Sequence, residues 1–182
     1  VPLTLDDFHR ISRRTPMIVN VRPAGEHLVE QLHVAGGIPA VLRELGDLVH
    51  GDALTVTGRT MEEELASART YDRTVIAARD APLHGQGGIA VVRGSLAPDG
   101  ALIKRSAASP ELLRHRGRAV VFEDVYDLAA RIDDAALEAD SSSVLVLRNA
   151  GPRGGPGMPE WGQIPIPKRL LEHGVTDMVR VS

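Results

Sequence analysis

The sequence contains no cysteine among its 182 residues. This absence excludes disulfides, a thiolate nucleophile, and any zinc or iron-sulfur centre held by cysteines of this chain alone. Long apolar runs are also missing: those at 89–92 and 144–147 are far shorter than the roughly 20 residues of a membrane-spanning helix. No charged-then-apolar signal peptide opens the sequence. We therefore expect a cytoplasmic protein with no membrane partner.

Neither sign of charge dominates, since 21 Lys and Arg residues stand against 24 Asp and Glu, for a formal net charge of -3. The basic residues are scattered, so we expect no nucleic-acid partner. With 43% hydrophobic and 25% charged residues, the chain can bury a core. No shift in composition divides it, and we predict one domain over residues 1–182. The start at Val1 and the strand-like run 177–182 predict a fragment of a longer protein.

Helix signals are clearest near the start of the sequence. Thr4 precedes Leu5–Arg14, a stretch with acidic residues in its first turn and basic residues in its last, as a helix dipole favours. Gly36 and Gly37 precede a second apolar helical pattern with Pro39 in its first turn. Further helix or turn signals are the capping box of Thr60 and Glu63, the Ser109–Pro110 pair, and the apolar stripe over 125–132.

Short strand signals rich in Val and Ile recur along the chain, at 17–21, 53–57, 74–77, 89–93, 101–104, 119–122, 144–148 and 178–181. Asp99–Gly100 is typical of a hairpin turn, with Pro98 at its entry. Many short strands mixed with helices favour an α+β domain with a barrel-like or sandwiched β core over a regular doubly wound sheet.

The loop over 151–160, Gly-Pro-Arg-Gly-Gly-Pro-Gly-Met-Pro-Glu, follows an apolar strand signal. Its glycines let backbone amides approach a ligand closely. Glu160 at its end offers a carboxylate that suits Mg²⁺, which usually takes one or two protein carboxylates. The alternative is a solvent-facing Glu160 after a structural turn, and the pattern alone favours that alternative.

Other polar groups have a structural explanation beside a functional one. Gly36–Gly37 before a helix can hold an anion at the helix start or pack a tight corner. Lys104 and Arg105 can form salt bridges across the domain interface or meet a sugar-acid carboxylate, and we favour the structural role. The seven histidines show no metal-ligand spacing, and the acidic residues around 133–140 lack the pattern of an EF-hand.

Four segments, in the same order, resemble motifs of the dihydroxy-acid and sugar-acid (phosphogluconate) dehydratase family. The loop resembles its Gly-Pro-x-Gly-x-Pro-Gly-Met-x-Glu signature, and 35–45 its Ala-Gly-Gly-x-Pro-Ala-x-x-x-Glu-Leu element. The stretch 52–58 is similar to its Leu-Thr-Val-Thr-Gly strand, and 87–101 to its Gly-Gly-x-x-x-x-Arg-Gly-Asn-Leu-Ala-Pro-Asp-Gly run, with Ser95 in place of the usual Asn. The run 159–168 is more similar to the sugar-acid branch, which includes arabinonate and xylonate dehydratases.

The resemblance implies the family's carboxy-terminal part, a β-barrel-like swivelling domain with flanking helices that closes the active site against a larger domain. It implies a hydro-lyase that dehydrates a dihydroxy acid or sugar acid to a 2-keto-3-deoxy acid, with Mg²⁺ and an iron-sulfur cluster as cofactors. Glu160 matches a magnesium ligand. The family's catalytic Ser lies in a loop after the strand that 177–182 matches, so no catalytic residue is expected here. The residues expected to shape the substrate site are Gly154, Gly155, Gly157 and Met158.

On this interpretation the isolated chain is inactive, because the cluster cysteines and the other metal ligands belong to a missing amino-terminal domain. The expected partners are that domain, the small-molecule acid, and further copies of the protein in a dimer or tetramer. Without the larger domain, apolar surface is expected to be exposed. Two alternatives remain open: a free-standing binding or regulatory module, and one subunit of a split dehydratase.

Overall fold

The structure, a computed structural model, describes residues 2–151, 155–156 and 162–182. Its contacts divide the chain into unit 1 (Val1–Ala108) and unit 2 (Ser109–Ser182). This division by contacts does not test whether the two units form one domain, so the single domain expected over 1–182 stays a prediction. Within the described ranges, no helix has the length and apolar character needed to cross a bilayer.

Capping residues set the starts of two helices in unit 1. At α1 (Leu5–Arg14), the Asp7 carboxylate accepts from the Thr4 backbone N–H at 3.0 Å, and the Thr4 hydroxyl accepts from the Asp7 N–H at 3.4 Å. The bonds from Thr4, with a further one from Arg10, lower the pKa of Asp7 to about 2. Thr60 caps α4 in the same way, which confirms both predicted caps. The helices of unit 1 are α1, α2 (Val29–Val34), α3 (Gly37–Leu45) and α4 (Met61–Leu65), with short 3₁₀ turns at Gly46–Leu48 and Arg105–Ala107.

The core of unit 1 lies between its helices and two extended segments. The segments predicted as strands at 17–21, 53–57 and 74–77 form only isolated bridges, such as Val19 with Ile76. The predictions at 17–21 and 74–77 were wrong because the Val and Ile residues there reflect burial in or against the core, and the chain turns away before a ladder can extend. The prediction at 53–57 was wrong because Leu54 and Val56 are exposed and Val56 lies in a turn. The buried side chains are Ile18, Leu32, Ala35, Ala40, Val75, Ile76 and Ala77.

An antiparallel hairpin of β1 (Ile89–Gly94) and β2 (Ala97–Lys104) completes unit 1. The register moves from Val92 opposite Ala101 to Gly94 opposite Ala97, so the turn lies at 95–96. The predicted turn at Asp99–Gly100 was therefore wrong. These residues lie in a bulge of β2, where Gly100 has a φ of 108° that an L-residue rarely adopts.

Unit 2 is built around a three-stranded parallel sheet with a helix in each crossover connection, in the order β3 (Ala119–Phe122), β4 (Val144–Leu147), β7 (Arg180–Val181). The register sets Phe122 opposite Leu147, and Val146 opposite Val181. Phe122 and Leu145 are fully buried in its core. The elements are a 3₁₀ turn at Pro110–Leu113, β3 (Ala119–Phe122), α5 (Val125–Arg131), β4 (Val144–Leu147), β5 (Ala150–Gly151), β6 (Gly155–Pro156), α6 (Lys168–Glu172) and β7 (Arg180–Val181).

Helices and small sheets are mixed along the described chain. The predicted strands at 119–122 and 144–148 and the helix over 125–132 are present within one residue of the expected bounds. The strand predicted at 178–181 is shorter, covering Arg180–Val181. The barrel-like closure and the swivelling movement stay predictions.

Candidate functional site at the carboxyl edge of the unit 2 sheet

The carboxyl ends of the parallel strands bring three segments of unit 2 to one edge. Glu123 follows β3, Arg148 follows β4, and Ser182 follows β7. In sheets with helical crossovers, ligands bind outside the carboxyl ends of parallel strands. The loop that carries Glu160 begins at this edge directly after β4, so the topology favours this edge as the candidate site.

Glu123 holds the start of the loop through two successive residues. The Nη1 atom of Arg148 lies 3.0 and 2.9 Å from the two carboxylate oxygens of Glu123. The side-chain amide of Asn149 donates to the Glu123 backbone carbonyl at 3.0 Å. Asn149 has a φ of 54° and is the one non-glycine residue with a positive φ among those described. Its left-handed backbone and its bond to Glu123 together fix how the chain leaves β4.

The end of the loop is held by β7. Arg180 donates through Nη1 to the Ile164 carbonyl at 3.1 Å. A Cβ added at Gly162 would lie 3.0 Å from the Ser182 hydroxyl oxygen, so the returning chain passes close to the end of β7. The two ends of the segment 150–163 are therefore held beside the two outer strands of the sheet, β3 and β7.

Asp177 precedes β7 and carries a perturbed carboxyl group. Its Oδ2 accepts from the Ser109 hydroxyl at 2.6 Å, and Arg180 lies 3.2 Å from its Oδ1. The Ser109 bond is the main cause of a lowered pKa of Asp177, with the Met178 backbone N–H and the Arg180 charge acting in the same direction. Asp177 lies before β7, on the amino side of the strand. Its contacts therefore stabilise the sheet and do not contribute to the candidate site at the carboxyl edge.

The residues predicted to bind ligands lie mostly outside the described ranges. Glu160, Gly154, Gly157 and Met158 fall at 152–154 and 157–161, so their roles stay predictions. The backbone of Gly155 is described, and it pairs with Ala150 where β6 runs parallel to β5.

The structural explanations are favoured for the remaining candidates. A Cβ at Gly36 would lie 2.6 Å from the Ala40 Cβ and well inside contact distance of the Arg69 carbonyl oxygen, so this glycine allows close packing at the start of α3. Arg105 donates to the Gln86 side-chain oxygen at 3.3 Å, and the salt bridges expected for Lys104 and Arg105 across a domain interface stay a prediction. The acidic residues near 133–140 have separate partners, since Asp133 pairs with Lys168 at 3.0 Å and Glu138 with Arg118 at 2.7 Å.

A metal ion requires several converging ligands. Within residues 2–151, 155–156 and 162–182, no group of three or more His, Cys, Asp or Glu side chains could hold one. The acidic residue at the edge, Glu123, already neutralises Arg148. The described residues therefore do not form a metal site by themselves, and the absence of cysteine leaves the chain without thiolates for an iron-sulfur cluster.

Glu123 and Asn149 were not among the residues that the sequence motifs indicated. One signal was present, since Asn is among the residues that most readily adopt a left-handed backbone, and Asn149 directly follows an apolar strand. The partner of Asn149 could not be predicted, because Glu123 lies 26 residues away in sequence.

Comparison with known proteins identifies two family regions in the chain. Residues 74–182 match the model of the dihydroxy-acid/6-phosphogluconate dehydratase C-terminal region, and residues 1–64 match that of the N-terminal region. Over the whole chain, 54% of residues are identical to L-arabonate dehydratase of Azospirillum brasilense and 46% to 6-deoxy-6-sulfo-D-gluconate dehydratase of Pseudomonas putida. Dihydroxy-acid dehydratase of Acetivibrio thermocellus is 45% identical over 87% of the chain.

The chain spans only part of these relatives. It covers 32% of the length of the first two and 28% of the third. The match to the N-terminal model ends at residue 64 and the match to the C-terminal model begins at 74, both inside unit 1.

Proposed function

The chain belongs to the dihydroxy-acid/6-phosphogluconate dehydratase family, and we propose that the full-length protein is a hydro-lyase that converts a sugar acid to a 2-keto-3-deoxy acid. The observation that carries the choice of substrate is the extent of the similarity. Two relatives named for sugar acids match all of the chain at 46–54% identity, whereas a relative named for a dihydroxy acid matches 87% of it.

The reaction requires two changes at neighbouring carbons. A base removes the proton from C2 of the acid, and the hydroxyl leaves from C3, which is slow until a Lewis acid polarises it. In the proposed enzyme, an iron-sulfur cluster would supply that polarisation and Mg²⁺ would hold the carboxylate end of the acid. The enol product then tautomerises to the 2-keto acid.

The contribution of this chain is to position the loop that ends at Glu160. Mg²⁺ usually takes one or two protein carboxylates, so a single carboxylate from this chain suits it, with the other ligands supplied from elsewhere. The parallel sheet supports the proposal, because the segment that leads to Glu160 leaves β4 at the same edge where Ser182 follows β7. Gly154, Gly155, Gly157 and Met158 are proposed to line the substrate site through their backbones.

The exposed apolar side chains of α1 support the proposal that this chain is covered in the full-length protein, by its larger domain and by other copies in a dimer or tetramer. Phe8 is 54% exposed and Ile11 is 55% exposed. The cytoplasmic location stays a prediction. The proposal also implies that the 182-residue chain alone does not turn over substrate, since it provides no cluster ligands.

The experiment measures 2-keto acid formation by the full-length protein with L-arabonate and with a branched 2,3-dihydroxy acid. We expect the higher kcat/KM with L-arabonate and a loss of about 100-fold or more in Glu160→Gln. Preference for the branched acid would refute the sugar-acid assignment, and turnover of neither would refute the activity. Turnover by the isolated chain would show that the catalytic residues are placed wrongly.

A further inference from the structure

Asn149 combines a rare backbone conformation with a specific side-chain bond. For an L-residue, the left-handed region costs free energy that the surroundings must compensate. Asn149, which directly precedes β5, adopts this left-handed conformation, and its side-chain amide donates to the Glu123 carbonyl at 3.0 Å. Arg148, one residue earlier, donates its backbone N–H to the Phe122 carbonyl at 2.9 Å and places its guanidinium on the Glu123 carboxylate.

The backbone of Glu123 is also held by residues of α5. Its backbone N–H donates to the Asp127 carboxylate at 3.0 Å, and Arg131 holds the same carboxylate oxygen at 2.8 Å. The Arg131 guanidinium also lies 5.1 Å from the centre of the Phe122 ring, which is buried in the core. The anchor is thus connected to α5 and to the hydrophobic core of unit 2.

We infer that Asn149 is a positioning residue for the reaction and that Glu123 is the anchor through which it sets the exit direction of the loop carrying Glu160. This inference rests on the proposed function. Asn149 contacts no reacting atom, and its effect on turnover passes through the loop. Arg148 supports the same anchor with its ion pair, of which the two side chains are 58% and 64% exposed.

A purely structural role for Asn149 makes a different prediction. If Asn149 only completes a turn after β4, its replacement lowers the stability of unit 2 and leaves kcat unchanged. If it positions the loop, its replacement lowers kcat and raises KM while the stability of the sheet changes little, because the same loop is proposed to carry the metal ligand and to line the substrate site.

The test uses the full-length protein and compares Asn149→Ala with Asn149→Gly. Glycine adopts the left-handed conformation without strain but cannot donate to Glu123, so it separates the two contributions. Arg148→Gln and Arg118→Gln form a second matched pair. Arg118 forms an ion pair with Glu138, and its side chain is about as exposed as that of Arg148. It lies just before β3, at the amino edge of the sheet. Each variant is measured for kcat, KM and amide hydrogen exchange at 148–151.

We expect Asn149→Ala to exchange about tenfold faster at 148–151 and to lose about tenfold in kcat, with a rise in KM. Asn149→Gly is expected to exchange about threefold faster at 148–151 and to lose about threefold in kcat, since it loses only the hydrogen bond. The Leu145 amide, which donates to the Val179 carbonyl at 3.0 Å, is expected to keep its wild-type exchange rate. Arg148→Gln is expected to lower kcat by about twofold, and Arg118→Gln to leave it unchanged.

Three results would overturn the inference: a wild-type kcat in Asn149→Ala, faster exchange at Leu145 equal to that at 148–151, or an equal loss of kcat in Arg118→Gln. If Asn149→Ala does not fold, Asn149→Gly decides the question alone. Failure of the proposed function is distinguishable, because wild-type turnover in Glu160→Gln would refute the role of that carboxylate without changing the exchange results.

Discussion

Replacing Gly36 with Ala tests how closely the segment 66–70 packs against the start of α3. Gly36 has a φ of 125°, and a Cβ there would meet the Ala40 Cβ at 2.6 Å and overlap the Arg69 carbonyl oxygen. Carbon and oxygen atoms normally approach no closer than about 3.3 Å. The backbone of the neighbouring segment must therefore move, and no side-chain rotation can relieve the contact.

Gly36→Ala is expected to lower the free energy of unfolding in two ways, and Gly58→Ala measures one of them alone. Placing Ala in the left-handed region costs about 1 kcal/mol, and forcing extra volume into a packed site adds about 2 kcal/mol. We expect Gly36→Ala to lower the free energy of unfolding of unit 1 by about 3 kcal/mol. Gly58 has a φ of 82° with no atom within 4 Å of an added Cβ, so Gly58→Ala carries the backbone cost alone, about 1 kcal/mol.

Native-state hydrogen exchange at the Ala77 amide reports the stability of unit 1, because this amide donates to the Ile18 carbonyl at 2.7 Å inside the core. Equal losses in Gly36→Ala and Gly58→Ala would refute the close contact with Arg69. A larger loss in Gly58→Ala would show that the conformational cost, and not packing, dominates at these glycines.

Three further predictions concern other parts of the chain. Leu145→Ala empties a fully buried site in β4 and is expected to cost about 3 kcal/mol in denaturant unfolding of unit 2, whereas Leu102→Ala, at a residue 61% exposed, costs under about 0.5 kcal/mol. The lowered pKa of Asp177 gives stability that is present above the unfolded pKa and is lost as pH falls through the folded one. Ser109→Ala is therefore expected to raise that pKa in a carboxyl NMR titration and to move acid unfolding of unit 2 to higher pH; an unchanged titration would contradict it. The isolated chain is expected to self-associate in light scattering and to bind a hydrophobic dye, both less in Phe8→Lys; a monomer without dye binding would count against the exposed apolar surface.

The features that the sequence predicted correctly depend on residues close together in the chain. The caps at Thr4 and Thr60 need only a carboxylate three residues later, and β3 and β4 need only a short apolar run. The prediction failed at 17–21 because β propensity does not specify a pairing partner. It failed at Asp99–Gly100 because the two-residue turn pattern also fits a bulge, and the register between β1 and β2 decided between them.

The candidate site shows the same limit of local information. The motif with its closing Glu160 was recognisable because it is continuous in sequence. The contacts of Glu123 with Asn149 join the ends of two parallel strands, and a helix and the strand β4 separate them along the chain. The pairing of β3 with β4 runs through such a crossover, so these contacts follow from the topology of this sheet and not from any short pattern.

The core of unit 1 is shared between the two family regions, since Ile18 and Leu32 come from the region that matches the N-terminal model and Val75 and Ile76 from the other. A gene divided between residues 64 and 74 would therefore give two polypeptides that each expose half of one core. A division near residue 108 would leave both cores whole. Recombination between relatives should for that reason be tolerated at the boundary of the units, whereas exchange at the boundary of the family models joins core halves from two parents and should succeed only when their buried side chains are compatible.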